Sequence, residues 1–315
     1  MSQLDRISTR DAFGEALLQL AKENEKVFAI GADTTKSMGM AQMAKAFPQR
    51  VVNNGIAEQN MMALAAGVAT CGYQVYAASY APFVSMRALE QVRSFIAYPR
   101  LDVKLISGLS GLTGDVEGAT HQGIEDIGIM RSIPNMAVLS PADAAATKAL
   151  TFAMAKVKGP VYLRLGRKPS YTVFDDSYTF TWGKANVLVA EGNDLALVTT
   201  GSMVYRCLEA VKLLRDRGVR ITLVEVPCIK PLDVETLAFV AASCGRVMTV
   251  EEHTVCTGLG SAVAQALAGI QPVPMRFLGI EDTFTESAPY DDLVYKYGLS
   301  EGAIAHEAEK WISAL

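Results

Sequence analysis

The spacing of hydrophobic positions changes period along the chain, and each change marks a switch between helix and strand. Phe13, Ala16, Leu17 and Leu20 recur at helical spacing behind the capping segment Thr9-Arg10-Asp11, which predicts a helix with one apolar stripe lying on a sheet. Val27-Phe28-Ala29-Ile30 is a continuous apolar run of strand length, ending in the polar turn Gly31-Ala32-Asp33. The pattern then repeats: a strand near 75–78, a helix opened by Pro82, a strand at 103–107, a glycine-rich loop, a helix around 142–156 and a strand at 161–165. Between Ser170 and Lys184 it lapses into polar and aromatic residues. A second alternation follows, with strands at 195–199, 221–226, 247–250 and 275–279, helices at 202–217, 233–242 and 258–268, and a last amphipathic helix at 301–314. The fold class is therefore α/β, with two domains, 1–175 and 185–315, each a mostly parallel sheet flanked by helices.

One stretch departs from this patterning. After Asn53-Asn54-Gly55-Ile56-Ala57-Glu58, no charged side chain occurs from Gln59 to Met86, although the whole chain is 20% charged. The turn residues and the helix formers behind them predict a helix beginning near Ile56 or Ala57, apolar on every face and so buried all round, in a core or against another chain. Glu58 then either complements the helix dipole while half exposed, or is a carboxylate at the edge of a dry interior, where lost solvation raises its pKa and suits it to proton transfer. The uncharged run is long enough to span a bilayer, but Cys71-Gly72-Tyr73-Gln74 and Tyr80-Ala81-Pro82 break it into shorter elements.

Composition narrows the classes of function. The chain has 315 residues, 50% of them hydrophobic, with a net charge of −4. Large buried surfaces are expected, subunit contacts among them, and no basic excess exists to attract nucleic acid or an anionic membrane. Five cysteines, Cys71, Cys207, Cys228, Cys244 and Cys256, follow no metal-ligand spacing and read as reduced core thiols of a cytoplasmic protein. The opening Met-Ser-Gln-Leu-Asp-Arg lacks an apolar signal region.

Candidate chemistry gathers at a few places. Asp33 ends a strand, where open α/β sheets bind ligands. Tyr80 and Phe83, three apart at a helix entry, are either core aromatics or a platform for a flat heteroaromatic ring. The loop 107–123 carries five glycines and His121, one of only three histidines. Long loops in compact domains tend to be functional, and this one lacks the terminal Gly-Lys-Ser/Thr of a phosphate loop. Arg164 and Arg167 follow one another along a strand and its end, with Arg167 better placed to clamp an anion. Glu251-Glu252-His253, at a strand end, reads as a surface or interface loop rather than a metal-ligand set.

Taken in order, Gly55-Ile56-Ala57-Glu58-Gln59-Asn60, Tyr80-x-x-Phe83, Gly118-Ala119-Thr120-His121-Gln122 and Asp282-Thr283-Phe284-Thr285-Glu286-Ser287 resemble the C-terminal half of transketolase. That half is a thiamine-diphosphate-binding pyrimidine domain plus the transketolase C-terminal domain, and the resemblance covers nearly the whole chain. It implies transfer of a two-carbon ketol unit from a ketose phosphate to an aldose phosphate, with the cofactor as electron sink. Glu58 matches the glutamate that hydrogen-bonds the aminopyrimidine ring nitrogen, and Tyr80 and Phe83 match the aromatic wall beside that ring. Asp33 matches an acidic residue near the cofactor. His121 matches the histidine that contacts substrate oxygens, and Arg10, Ser37 and Arg167 match positions that grip the sugar phosphate.

Three departures accompany the match. Glu117 stands four residues before His121, where transketolases carry an aspartate that reads sugar stereochemistry. Gly108-Leu109-Ser110 replaces a phosphate-binding histidine or arginine. Nothing matches the Gly-Asp-Gly motif and downstream asparagine that hold Mg2+ and the diphosphate; Gly114-Asp115-Val116 lacks the second glycine. The resemblance thus implies half an enzyme, with no metal ligand of its own, completed by a separate N-terminal-type subunit in an α2β2 heterotetramer in which this chain also self-associates. Two other readings share the domain pair: the β subunit of a 2-oxo-acid dehydrogenase first component, and a non-catalytic scaffold subunit. The Gly-Ala-Thr-His-Gln loop and the Arg10/Ser37/Arg167 set favour transketolase.

Overall fold

Each strand of the first sheet is a short apolar run whose side chains alternate between two helical layers. In the computed structural model, which describes residues 6–314, β1 (Arg6–Ile7) pairs antiparallel with β8 (Ser170–Tyr171) in a two-stranded ribbon. Between them run β2 (Val27–Gly31), β3 (Val51–Asn53), β4 (Gln74–Tyr80), β5 (Val103–Gly108), β6 (Ala137–Leu139) and β7 (Val161–Arg164). These six are parallel, in the order β6-β7-β5-β4-β2-β3. On β4, Tyr76 and Ala78 face the helices Thr9–Glu23 and Ala144–Ala155, packing with Phe13, Leu17, Leu150 and Met154. Val75 and Ala77 face the other way, toward Met61, Met62 and Ala65 of the helix Glu58–Thr70. Burial of both faces explains why these strands read as unbroken apolar runs.

The second sheet contains β9 (Asn186–Ala190), β10 (Leu195–Thr199), β11 (Ile221–Glu225), β13 (Val247–Thr254) and β14 (Met275–Ile280), in the order β14-β13-β10-β11-β9, parallel except for β9. The remaining strand, β12 (Cys228–Lys230), leaves this half of the chain and adds antiparallel to β6 of the first sheet. The apolar core behind Met61 and Met62 continues without a break into Ala196, Val198 and Val224 of the second sheet, so the two sheets share buried surface.

Several sequence expectations change in detail. Ser8, not Thr9-Arg10-Asp11, caps the first helix, its Oγ accepting from the Asp11 N–H at 3.2 Å. The helix Glu58–Thr70 buries Glu58, Met61, Met62, Ala65 and Ala66, but leaves Leu64 exposed, so it is covered on one face only. Behind Pro82 the chain forms wide π-type turns over Phe83–Arg87 and Gln91–Ala97 rather than an α-helix. Cys71 and Cys256 are exposed, so only three of the five free thiols lie in the core. Among the described residues, no helix is long and apolar enough to cross a membrane. The opening Met1–Asp5, read above for a signal, lies outside the described residues.

Candidate active site

Parallel register brings the carboxyl ends of five strands to one edge. Gly31 pairs with Asn53 and with Ala78, Tyr80 with Gly108, and Ser107 with Arg164. The segments that leave these residues carry Asp33, Ser37, Glu58, Phe83, Glu117, His121 and Arg167, Tyr80 ends β4 itself, and Arg10 reaches in from the first helix. This edge is where open α/β sheets bind ligands.

Glu58 opens its helix with Ala57 at the cap position, where no side chain caps. Its side chain is only 2% exposed, but its surroundings are not free of charge. Arg87, the first charged residue after the uncharged run, donates from Nη1 to Glu58 Oε2 at 2.9 Å. The same guanidinium lies 4.1 Å from the centre of the Phe83 ring. The widened turn makes this possible: the Ala88 N–H donates to Phe83 O, five residues back, and re-aims Arg87. Such bulges recur at functional sites.

From Phe83 the contacts continue. Its ring meets Tyr80 at 5.9 Å and His121 edge-on at 5.2 Å between centroids. Tyr80 OH donates to Ser37 Oγ at 3.2 Å, and Arg10 donates to Ser37 O and, at 2.8 Å, to Arg167 O. Arg167 is ion-paired with Glu117. Burial lowers the pKa of Arg10 from its ordinary value, and Arg10 Nε is buried without a partner. Close backbone packing fixes this corner: a Cβ on Gly14 would lie 2.1 Å from Gly39 O, so only glycine lets the 34–40 turn settle on the first helix beside Arg10.

Eight of the nine candidate residues therefore form one unbroken chain of contacts, from Glu58 through Arg87, Phe83, His121, Tyr80, Ser37, Arg10 and Arg167 to Glu117. Asp33 is not part of this chain: its N–H donates to Asn53 Oδ1 at 2.9 Å and its carboxylate accepts from Asn53 Nδ2, beside the turn that leads into the Glu58 helix. Sequence reading missed Arg87. Its signal was its place as the residue that ends the uncharged run.

The arrangement suits an aminopyrimidine: a buried carboxylate at a helix start, joined through Arg87 to the Phe83 ring and its aromatic neighbours. For a divalent cation it offers little, since no group of three or more His, Cys, Asp or Glu among the described residues is placed to hold a metal ion.

Arg164 lies elsewhere. It is buried, with Nε donating to Asp126 at 2.9 Å and Nη2 to Gly123 O and Glu252 O. Glu251-Glu252-His253 is also not the surface or interface loop expected from sequence, because all three belong to β13 and are at most 2% exposed. His253 accepts from the Ile127 N–H on Nε2 at 3.1 Å and donates from Nδ1 to Thr254 O at 2.8 Å, which fixes the neutral tautomer. Burial brings its pKa down to about 4.

The geometry defines a class: an α/β protein with an acid, an aromatic wall and paired arginines gathered at the carboxyl edge of a parallel sheet. Residues 5–171 match the transketolase pyrimidine binding domain and residues 183–304 the transketolase C-terminal domain. The chain belongs to the transketolase family. It is 41% identical over 300 residues to a transketolase C-terminal section of Methanocaldococcus jannaschii, covering 94% of this chain and 93% of that one. Identity to the 6-deoxy-6-sulfo-D-fructose transketolase subunit SqwH of a Clostridium species is 36% over 301 residues, covering 96% and 93%. Among solved structures, a split gene transketolase described as an inactive beta4 tetramer superposes with a TM-score of 0.90 at 42% identity, covering 98% of this chain and 99% of that chain. Family membership implies dependence on thiamine diphosphate.

Proposed function

We propose that this chain is the smaller subunit of a split transketolase, which transfers a two-carbon ketol unit between sugar phosphates in the cytoplasm and is active only with a separate N-terminal-type subunit, as α2β2. The observation that carries this reading is the contact chain from Glu58 to Arg167, which joins a ring-binding end to an anion-binding end along one sheet edge. The chain divides near 175–185 into the pyrimidine and C-terminal domains.

In this reading Glu58 accepts or gives up a proton at the pyrimidine ring nitrogen, and Phe83 and Tyr80 hold the ring in place and keep water from it. Asp33 lies at the border of the cofactor. His121, held against both aromatic rings, meets the carbonyl and hydroxyl oxygens of the sugar. Arg10, Ser37 and Arg167 take the phosphate, and Glu117 reads the sugar hydroxyls. Bound thiamine diphosphate supplies the electron sink for breaking the carbon–carbon bond beside the ketose carbonyl. Mg2+ and the diphosphate fall mainly to the partner subunit. Relatives described as subunits, and as a split gene transketolase, support the two-chain assembly.

The test is Glu58→Gln in the reconstituted complex. Two-carbon transfer should fall by about 10²-fold or more, the usual size of a lost proton-transfer group, while circular dichroism and thermal midpoint stay near those of the unmodified chain. Activity within a few fold of normal would refute the assignment of Glu58.

A further inference from the structure

The loop that presents His121 is costly to order. Five of the residues from 107 to 123 are glycine, and glycine loses more conformational freedom on ordering than any other residue. Gly111, Leu112, Thr113, Gly114 and Asp115 are buried. Beside bonds within the loop and to its own domain, such as the Gly123 N–H to Leu109 O and Arg164 Nη2 to Gly123 O, the second sheet and the chain beyond it fasten the loop at Leu112 and Gln122.

We infer that the C-terminal domain is a positioning device for the histidine loop, which it grips by two separate latches. This rests on the reading of His121 as the residue that faces substrate.

The first latch is Glu252, 2% exposed. Its Oε1 accepts from the Leu112 N–H at 2.5 Å, and its Oε2 accepts from Ser202 Oγ at 2.5 Å and Tyr290 OH at 2.8 Å. The Leu112 side chain belongs to the C-terminal apolar core with Met248, Val250 and Ile280. At Gly111 a Cβ would lie 2.5 Å from Glu252 Oε1, so the carboxylate fits only against a glycine.

The second latch holds the residue next to His121. Gln122 is 1% exposed. Its Nε2 donates to Asp115 O and to Glu286 O, each at 2.9 Å, and its Oε1 accepts from Thr285 Oγ1. A Cβ on Gly118 would lie 2.4 Å from Ser287 Oγ, so the same 285–287 segment also presses on the turn that carries Glu117. The backbone next to Glu117 and His121, the two side chains assigned to the sugar, is thus held by Thr285, Glu286 and Ser287, in addition to the Arg167 ion pair of Glu117 and the ring contacts of His121. This gives the Thr-Glu-Ser sequence near the chain's end a task at the active site without placing it in contact with substrate.

Hydrogen–deuterium exchange on the full chain tests the inference with Thr285→Val, which keeps the shape and removes the hydroxyl, and Thr285→Ser, which restores it. Amides in 115–123 should exchange about tenfold faster in Thr285→Val, the size expected for one buried hydrogen bond. They should return to normal in Thr285→Ser, while amides of Val103–Gly108 stay unchanged. Glu252→Gln should loosen 111–113 instead. In the reconstituted complex Thr285→Val should lower kcat/KM by a similar factor with cofactor affinity unchanged. The inference is overturned if exchange in Thr285→Val is normal or rises throughout the chain, if Thr285→Ser behaves like Thr285→Val, or if kcat/KM is unaffected. Localised loosening in a complex whose unmodified form has no transferase activity would leave the latches intact and count against the proposed function instead.

Discussion

Glu58 and Arg87 form an unequal pair: the carboxylate is 2% exposed and the guanidinium 48%. Removing the arginine leaves a buried charge without its partner, which is the costly way to break an ion pair. Because Arg87 is half in water, the loss should be modest, and Arg87→Met is expected to lower stability by about 1–2 kcal/mol, measured by urea denaturation of the chain alone. An unchanged midpoint would mean that the pair contributes nothing to the fold. A second buried acid, Glu225, gives a pH signature. Burial raises its pKa from 4.5 to about 7, more than the Asn186 and Tyr178 hydrogen bonds lower it. Since the folded chain holds this proton more tightly than the unfolded one, the contribution is complete below pH 4.5 and is lost as pH rises through 7. Thermal midpoints between pH 5 and 8 should therefore fall less steeply in Glu225→Gln than in the unmodified chain, by up to about 3 kcal/mol of stability over that range. Equal slopes would show that Glu225 titrates as it does unfolded. At this scale the residue types were legible but their pairings were not. Glu58, Tyr80, Phe83 and His121 stand out because an acid, two rings and a histidine are rare in apolar or glycine-rich surroundings. That Arg87 meets Glu58, or Arg167 meets Glu117 across 50 residues of chain, depends on how strands are ordered, and a linear pattern does not encode that order.

Among elements, the long buried strands and amphipathic helices were the most legible. Val27–Gly31, Val103–Gly108, Leu195–Thr199 and Met203–Asp216 lie within a residue or so of where apolar periodicity predicts them. The short strands β3, β6 and β12, of three residues each, left no readable period. The π-type turns behind Pro82 were missed because an i to i+5 pattern differs too little from an i to i+4 pattern over one turn. Glu251-Glu252-His253 was misread for a physical reason. Three consecutive polar residues usually mark a loop, but here they continue a buried strand because Leu112, Leu259, Gly260 and Ile127 supply backbone N–H donors to them. The loop 107–123 stood out in the sequence by its glycines and His121, but part of its fastening lies some 160 residues further on, at Thr285 and Glu286.

Over the whole molecule, the carboxyl edge of the first sheet is bordered by apolar side chains left uncovered. Ile56, Leu64, Met86 and Val116 are exposed by 76%, 36%, 43% and 61% of their surfaces. The sequence indicated the apolar character of the helix after Glu58. Which face stays open could be read only once the sheet had claimed Met61, Met62 and Ala65. In the proposed assembly the open face meets another chain, and the ligand site is closed by that contact. The most direct test is calorimetric titration of thiamine diphosphate with Mg2+ into the purified chain, alone and after co-expression with an N-terminal-type transketolase subunit. The account predicts no measurable binding to the chain alone and tight, saturable binding to the co-purified complex. A well-formed complex that binds none would contradict it, and the roles of Glu58, Tyr80 and Phe83 at the cofactor would fall with it.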